Sequence, residues 1–159
     1  MDCNYHFYRY HRTQAEGLLS NISRHFLDQD LDTAINFTLE AIAKFIEAER
    51  SCIYTYSDDR QECYLTYEWN ADCLEAIPSV VRATSVEQFK ELHQQLFQGK
   101  AMQFSSLAET PLNATAIGIL AATSTQSFAI VPMRHSGQVV GLLVASVVHY
   151  SKTWSQEEI

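Results

Sequence analysis

Two amphipathic helices are predicted over the first third of the chain. Apolar residues recur at three- and four-residue spacing over positions 13–27, which is the period of one helix face. The stripe of this first helix contains Leu18, Leu19, Ile22 and Phe26. A second stripe runs from Leu31 to Ile46, and Asp30 directly before it is a good N-cap. We expect the second helix to end near Glu49.

The pattern then changes to the two-residue period of β-strands. Apolar residues alternate in "SCIYTY" and "ECYLTYEW", and "SDDRQ" between them has the length of a hairpin loop. The residues that share one face of the second strand are Cys63, Leu65, Tyr67 and Trp69. Glu62 and Glu68 are expected on its opposite, solvent-facing side. A second hairpin is predicted in "SFAIVPMRHSGQVVGLLVASVV", with a tight turn at Gly137 and a bulge or gap at Pro132.

Shorter elements are predicted between the two hairpins. Ser85 and Gln88 have the spacing of a capping box before an amphipathic helix, and Gly99 is suited to the end of that helix. "AMQF" is a short strand, and Thr110 and Pro111 fit the N-cap and N1 positions of a further helix. This order of elements predicts an α+β domain built around an antiparallel sheet.

Composition narrows the class of protein. A chain of 159 residues with 47% hydrophobic residues predicts one compact domain. The formal net charge is −8 and the basic residues are scattered, so nucleic acid is not an expected partner. The longest apolar run, 139–148, is too short to cross a membrane, and no export signal precedes the first helix. We therefore expect a cytoplasmic protein with reduced cysteines, of which Cys52 and Cys63 belong to the core.

Three stretches resemble the GAF sensory domains of bacterial signalling proteins. The first hairpin with its "YEW" segment is similar to the family's opening hairpin, and "VPMRHSGQVVG" is similar to its central one. "KTWSQEEI", in which Ser155 and Glu158 form a capping box, resembles the opening of the family's last helix. The resemblance implies a six-stranded antiparallel sheet flanked by helices on both faces. It also implies a pocket between the sheet and the helices that follow the first hairpin.

The same resemblance suggests how the chain is organised and what it binds. We expect residues 1–12 to be an N-terminal extension and residues 13–159 to be a single GAF domain, with the exit helix cut short after Ile159. Family members commonly form homodimers through their first and last helices, which lead into an output domain. Leu18, Leu19, Ile22 and Phe26 would then line a dimer and relay helix.

The residues that GAF domains use for covalent or redox chemistry are missing. Bilin-binding members attach their chromophore through a cysteine near the position of Thr115, but no cysteine lies between Cys73 and Ile159. The methionine sulfoxide reductase branch needs a nucleophilic cysteine where this chain has Ala121. A cyclic-nucleotide signature is also absent from the sequence. The cysteine and histidine spacings do not suggest a metal site.

Haem binding would need an axial ligand in the pocket. His93 and His135 are the histidines in the right region, and both are expected to be solvated. A noncovalent pocket could instead be lined by five aromatic residues: Tyr67, Trp69, Phe89, Phe104 and Phe128. The alternative that these aromatics simply fill the core stays open.

The leading hypothesis is a non-catalytic sensory GAF domain, such as the input module of a sensor histidine kinase. It would bind an unidentified small ligand or serve as a dimerisation and relay unit. The alternatives are a chromophore- or haem-binding sensor, or a methionine sulfoxide reductase-like enzyme.

Overall fold

The computed structural model describes residues 3–156 and 158–159, with side chains from residue 10 onward. The helices are α1 (Cys3–Asp28), α2 (Leu31–Phe45), α3 (Ser79–Arg82), α4 (Lys90–Phe97) and α5 (Ala114–Ala121). The strands are β1 (Arg50–Tyr56), β2 (Glu62–Asn70), β3 (Ala83–Ser85), β4 (Met102–Phe104), β5 (Ser127–His135) and β6 (Gln138–Val147). Single 3-10 turns cover Val86–Phe89 and Leu107–Glu109.

The six strands form one antiparallel sheet in the order β3-β2-β1-β6-β5-β4. Helix α2 packs on one face of this sheet, and α1 lies against α2. Helices α3, α4 and α5 cover the opposite face, so each face has its own apolar core. The predicted α+β fold, with a six-stranded antiparallel sheet and helices on both faces, is confirmed.

Local capping explains several of the helix boundaries. The Asp30 carboxylate accepts a hydrogen bond of 3.0 Å from the backbone N–H of Thr33, which fixes the start of α2. Ser85 and Gln88 form the predicted capping box ahead of α4. Gly99, with φ of 78°, follows the end of α4 in the left-handed conformation that glycine tolerates.

Several helix and strand assignments differ from the sequence-based ones. Helix α1 begins at Cys3 and therefore includes most of the stretch predicted to be an extension. Helix α5 starts at Ala114 with Asn113 as its N-cap, and the prediction of a start at Thr110 was wrong. The Thr110 hydroxyl instead donates to the Leu107 carbonyl and closes a 3-10 turn. Helix α3 and strand β3 lie in a stretch for which no helix or strand was predicted.

A bulge in β2 changes which residues face each core. Tyr54 pairs with Leu65 and Ile53 pairs with Tyr67, so Thr66 is the extra residue of the bulge. The strict alternation of the strand is broken at this point. Residues after Thr66 consequently face the side opposite to the one that sequence parity predicts.

The hairpin of β5 and β6 has the geometry predicted from its turn residues. His135 pairs with Gln138, and the two residues between them have positive φ, 49° at Ser136 and 78° at Gly137. The ladder shifts register between Met133 and Arg134, one residue beyond the irregularity expected at Pro132.

Candidate functional site

A cavity of about 100 Å³ lies between the sheet and helices α3, α4 and α5. Its wall is mainly apolar and contains Cys52, Tyr54, Cys63, Ile77, Val81, Phe89, Leu92, Leu120, Phe128, Ile130, Leu142 and Val144. The polar residues of the wall are Arg50, Thr84, His93, Thr123, Thr125 and Ser146. An apolar wall with a few polar groups is the usual composition of a small-molecule site.

The structure separates the five aromatic residues predicted to line one pocket. Phe89 and Phe128 line the cavity, and the Phe104 ring packs against Phe128 with centroids 5.0 Å apart. Tyr67 lies on the other face of the sheet, where its hydroxyl donates to Asp32 at 2.6 Å. Trp69 also packs against the core beneath α2. The bulge at Thr66 accounts for this, because it moves both residues to the α2 side.

Arg50 is the buried cation of the cavity wall, with 5% of its surface exposed. Its Nε donates to the Asn70 side-chain oxygen at 2.7 Å. One Nη donates to the Thr123 carbonyl at 3.3 Å and the other to the Glu75 carbonyl at 3.1 Å. Among the described side chains, no carboxylate forms an ion pair with Arg50. The guanidinium is therefore held by neutral acceptors.

Glu68 is linked to Arg50 through the side chain of Asn70. Its carboxylate accepts from Asn70 at 2.8 Å, from the Ile77 backbone N–H at 2.6 Å and from Arg82 at 2.7 Å. The Glu68 side chain is only 10% exposed, so the prediction that it faces solvent was wrong. The bulge again explains the difference, because it places Glu68 opposite Cys52 on the cavity side.

Three hydroxyl residues surround Arg50 in the cavity wall. Ser146 is the β6 partner of Arg50 in the sheet. The hydroxyls of Thr123 and Thr125 lie 2.6 Å apart, and Thr123 also donates to the Leu120 carbonyl at 2.6 Å. We call Arg50, Thr123, Thr125 and Ser146 the polar end of the cavity. Sequence reasoning missed this set, although Arg50 has the same parity as Cys52 and Tyr54 along β1.

His93 also lies in the cavity wall, and the prediction that it is solvated was wrong. Only 3% of its surface is exposed, and its Nδ1 lies 2.7 Å from the Tyr56 hydroxyl. Burial lowers the pKa of His93 to about 4, so the ring is neutral at pH 7. The ring also packs against Tyr56 and Phe97. His135, at the hairpin turn, is exposed as expected.

The two cavity cysteines are ordinary core residues. Cys52 and Cys63 are each 2% exposed, as predicted, and burial raises the pKa of both thiols to about 12. A thiol with such a pKa is protonated at neutral pH and is a poor nucleophile. Ala121, at the position where the reductase branch has its cysteine, is exposed on α5.

The predicted relay residues of α1 point in two directions. Leu18 and Ile22 are half-buried on the side of the helix that packs against α2. The His25 ring on the same side stacks on Phe37 with centroids 3.5 Å apart. Leu19 and Phe26 are 63% and 45% exposed. Exposed Leu27 and Leu31 extend this apolar surface beyond Phe26.

One further group of ligand-type side chains is present near the end of β6. Donor atoms of Glu49, Cys73 and His149 lie within 4.8 Å of one another. Glu49 also accepts hydrogen bonds from the backbone N–H groups of Val148 and His149, at 2.6 and 2.9 Å. Burial alone would raise the pKa of Glu49, but these bonds outweigh it and lower the pKa. The arrangement is explained by the carboxylate fastening the end of β6.

The structure defines an α+β domain with a cavity on one face of its antiparallel sheet. The model of the GAF domain family matches residues 30–159, and the chain belongs to this family. No curated protein matches the sequence significantly. Among the described residues, no helix is long and apolar enough to cross a membrane.

Solved structures with the same fold include GAF domains of cyanobacterial photosensors. The phycocyanobilin-bound GAF domain of a cyanobacterial phytochrome is 18% identical, with a TM-score of 0.73 over 90% of this chain and 84% of that one. The PixJ GAF domain of Thermosynechococcus elongatus, in its blue-light absorbing form, is 17% identical, with a TM-score of 0.69 over 80% and 75% of the two chains. GAF3 of Slr1393 from Synechocystis is 14% identical, with a TM-score of 0.70 over 81% and 84%. At such low sequence identity, the structural similarity shows that the fold is shared and nothing further.

Proposed function

We propose that this GAF domain is a non-catalytic sensor that binds a small molecule noncovalently in the cavity beneath α3, α4 and α5. The observation that carries the proposal is the cavity itself, which has an apolar wall and one polar end. Simple core packing leaves few voids larger than a water molecule. A buried arginine beside such a void lowers the stability of the fold unless a partner compensates its charge, and a bound ligand can be that partner.

A cavity-filling substitution tests this proposal. Leu120→Trp places a larger side chain into the cavity from α5, whereas Ala121→Trp adds the same side chain on the exposed side of the helix. Both variants and the wild type are screened by ligand-observed NMR against a broad library of small metabolites. Hits that bind the wild type and Ala121→Trp but not Leu120→Trp support the proposal. A wild type without hits, or hits that all survive Leu120→Trp, would contradict it.

We further propose that the bound state is passed on through α1 in a homodimer. The exposed apolar side chains of Leu19, Phe26 and Leu27 support this, because a helix that remained isolated in water would gain nothing from them. The output domain would be a histidine kinase or a similar module, and a ligand would act by biasing the arrangement of paired helices.

The dimer is tested with Leu19→Glu. A charge in a helix–helix interface is poorly tolerated, so we expect a dimer of the full-length protein to dissociate into monomers in sedimentation velocity. Gln14→Glu, on an exposed position of the same helix, is the matched control and leaves the dimer intact. If Leu19→Glu and Gln14→Glu both stay dimeric, or both become monomeric, the result would argue against this face of α1 as the interface.

A tetrapyrrole sensor is the second candidate, because the structural neighbours include bilin-bound GAF domains. The residues of this chain fit such a group poorly. No cysteine follows Cys73, and a tetrapyrrole is far larger than a cavity of about 100 Å³. Co-expression with bilin or haem synthesis should therefore yield a colourless protein. A visible absorption band that copurifies with the chain would favour this candidate instead.

A further inference from the structure

The cavity has a net positive charge at one end, and we infer that its ligand is a small monocarboxylate whose carboxylate contacts Arg50. The inference rests on the proposed function, since it names the chemical class that the sensor cavity takes. It depends on three properties of the wall: its charge, its free hydrogen-bond donors and the size and polarity of the remaining space.

Among the described residues, no carboxylate pairs directly with Arg50. An arginine stays protonated in proteins, and a buried charge is normally paired with one of opposite sign. The printed partners of Arg50 in this part of the chain are neutral oxygens, and the nearby carboxylate of Glu68 pairs directly with Arg82. Two arginines thus share one carboxylate in this network, which leaves one positive charge in excess. An anion in the cavity would supply the missing partner.

Donors are available at the same place. A guanidinium has five N–H groups, and the hydrogen bonds of Arg50 to described residues use three of them. Ser146, beside Arg50 in the sheet, brings a hydroxyl to the same end of the cavity. A carboxylate accepts several such bonds at once, and bonds between ionised groups are roughly twice as strong as neutral ones.

The rest of the wall selects a short apolar body. The wall beyond the polar end includes Phe89, Leu92, Phe128 and Leu142. Benzene, which has six heavy atoms like butyrate, binds in an engineered apolar cavity of about 150 Å³, so butyrate is an upper limit for the acid that a space of about 100 Å³ can hold. Neutral His93 adds no second cationic centre, so a dicarboxylate would leave one charge unpaired.

Three probes of nearly equal size test the inference with the wild-type protein. Butyrate, butyramide and n-butylammonium are titrated at pH 7 and constant ionic strength, and binding is followed by NMR. Because only butyrate supplies a negative charge, we expect it to bind at least about tenfold more tightly than butyramide. Butylammonium should not bind. Butyrate should also shift the side-chain Nε–H resonance of Arg50.

Variants then separate the role of Arg50 from a general effect of charge. Arg50→Gln should abolish the preference for butyrate over butyramide. Arg60→Gln removes an arginine that is absent from the cavity wall and should leave the preference unchanged. If Arg50→Gln fails to fold, the wild-type comparison and the Nε–H shift decide the question alone.

The contrary outcomes are distinct from failure of the proposed function. Equal or tighter binding of butyramide, or butyrate binding without a shift at Arg50, would overturn the carboxylate inference while the cavity remained a ligand site. Absence of binding by all three probes at millimolar concentration would also overturn it. In that case the metabolite screen with Leu120→Trp still decides whether the cavity binds anything.

Discussion

Arg50 and His93 are both buried in the cavity wall, but one is charged and the other is neutral. Both residues are almost inaccessible to solvent. Arg50 brings the positive charge of a guanidinium into the cavity wall. His93 loses its charge, since burial favours the neutral ring and lowers its pKa to about 4. The cavity therefore has one permanent cation and one histidine that resists protonation.

His93 makes stability depend on pH in mildly acidic solution. An unfolded histidine has a pKa of about 6.5 and takes up a proton as the pH falls, whereas folded His93 stays neutral until about pH 4. The contribution of His93 to the free energy of unfolding is thus largest above pH 6.5 and falls between pH 6.5 and 4. We expect a loss of about 2 kcal/mol in the free energy of unfolding between pH 7 and 5. Urea denaturation at the two pH values measures it.

His93→Gln is the control for this effect. The variant lacks the buried imidazole, so its unfolding free energy should change much less between pH 7 and 5, whatever its stability at pH 7. An unchanged pH dependence in His93→Gln would show that another group is responsible.

At the scale of elements, helix and strand positions could be predicted well, because they follow from hydrophobic period and capping residues. Asp30, Ser85 and Gly99 each mark a boundary that the structure contains. The cavity wall was harder to predict from the sequence. A single extra residue, Thr66, moves the side chains at the end of β2 to the opposite face of the sheet. No residue type at the bulge allows its position to be predicted from the sequence. Tyr67 and Trp69 were for this reason assigned to the wrong face.

The close approach of β1 and β6 depends on Gly141. A Cβ at this position would lie 2.6 Å from the Tyr54 carbonyl oxygen, which belongs to the neighbouring strand backbone. Gly141→Ala should therefore push the central strands apart and destabilise the fold by about 1–3 kcal/mol. Thermal or urea unfolding measures the change.

Gly118→Ala is the matched control. Gly118 lies in α5, and a Cβ added there would meet no atom of another element within 4 Å. Alanine at this position should therefore be neutral or should stabilise the fold by about 0.5–1 kcal/mol. Equal effects of the two substitutions would mean that contact with Tyr54 does not limit the β1–β6 distance.

For the whole molecule, the chain after β6 joins the edge strand β4 to the core on the α2 side of the sheet. Trp154 is 4% exposed and packs with Ala43, Ile46, Ala129 and Ala145 beneath α2. Its indole N–H donates to the Phe104 carbonyl of β4 at 3.3 Å. The edge strand and the α2 core are therefore joined by one side chain.

Substitutions of Trp154 distinguish packing from hydrogen bonding. Trp154→Ala should cost about 3–5 kcal/mol of unfolding free energy, because it leaves a large cavity under α2. Trp154→Phe keeps most of the packing and should cost about 1 kcal/mol through the lost hydrogen bond and smaller ring. Urea unfolding of the three proteins gives both differences. A similar cost for Phe and Ala would mean that the ring contributes little through packing.

The reaction rate of the two cysteines in the cavity wall can measure how often the cavity opens. Cys52 and Cys63 are closed off and protonated, whereas Cys73 is exposed. In a Cys3→Ser background, a thiol reagent should modify Cys73 at once and the cavity thiols only when the wall separates. The rate of the slow phase would report how often the cavity opens. A ligand that occupies the space should slow this phase in proportion to the fraction of protein that stays unliganded.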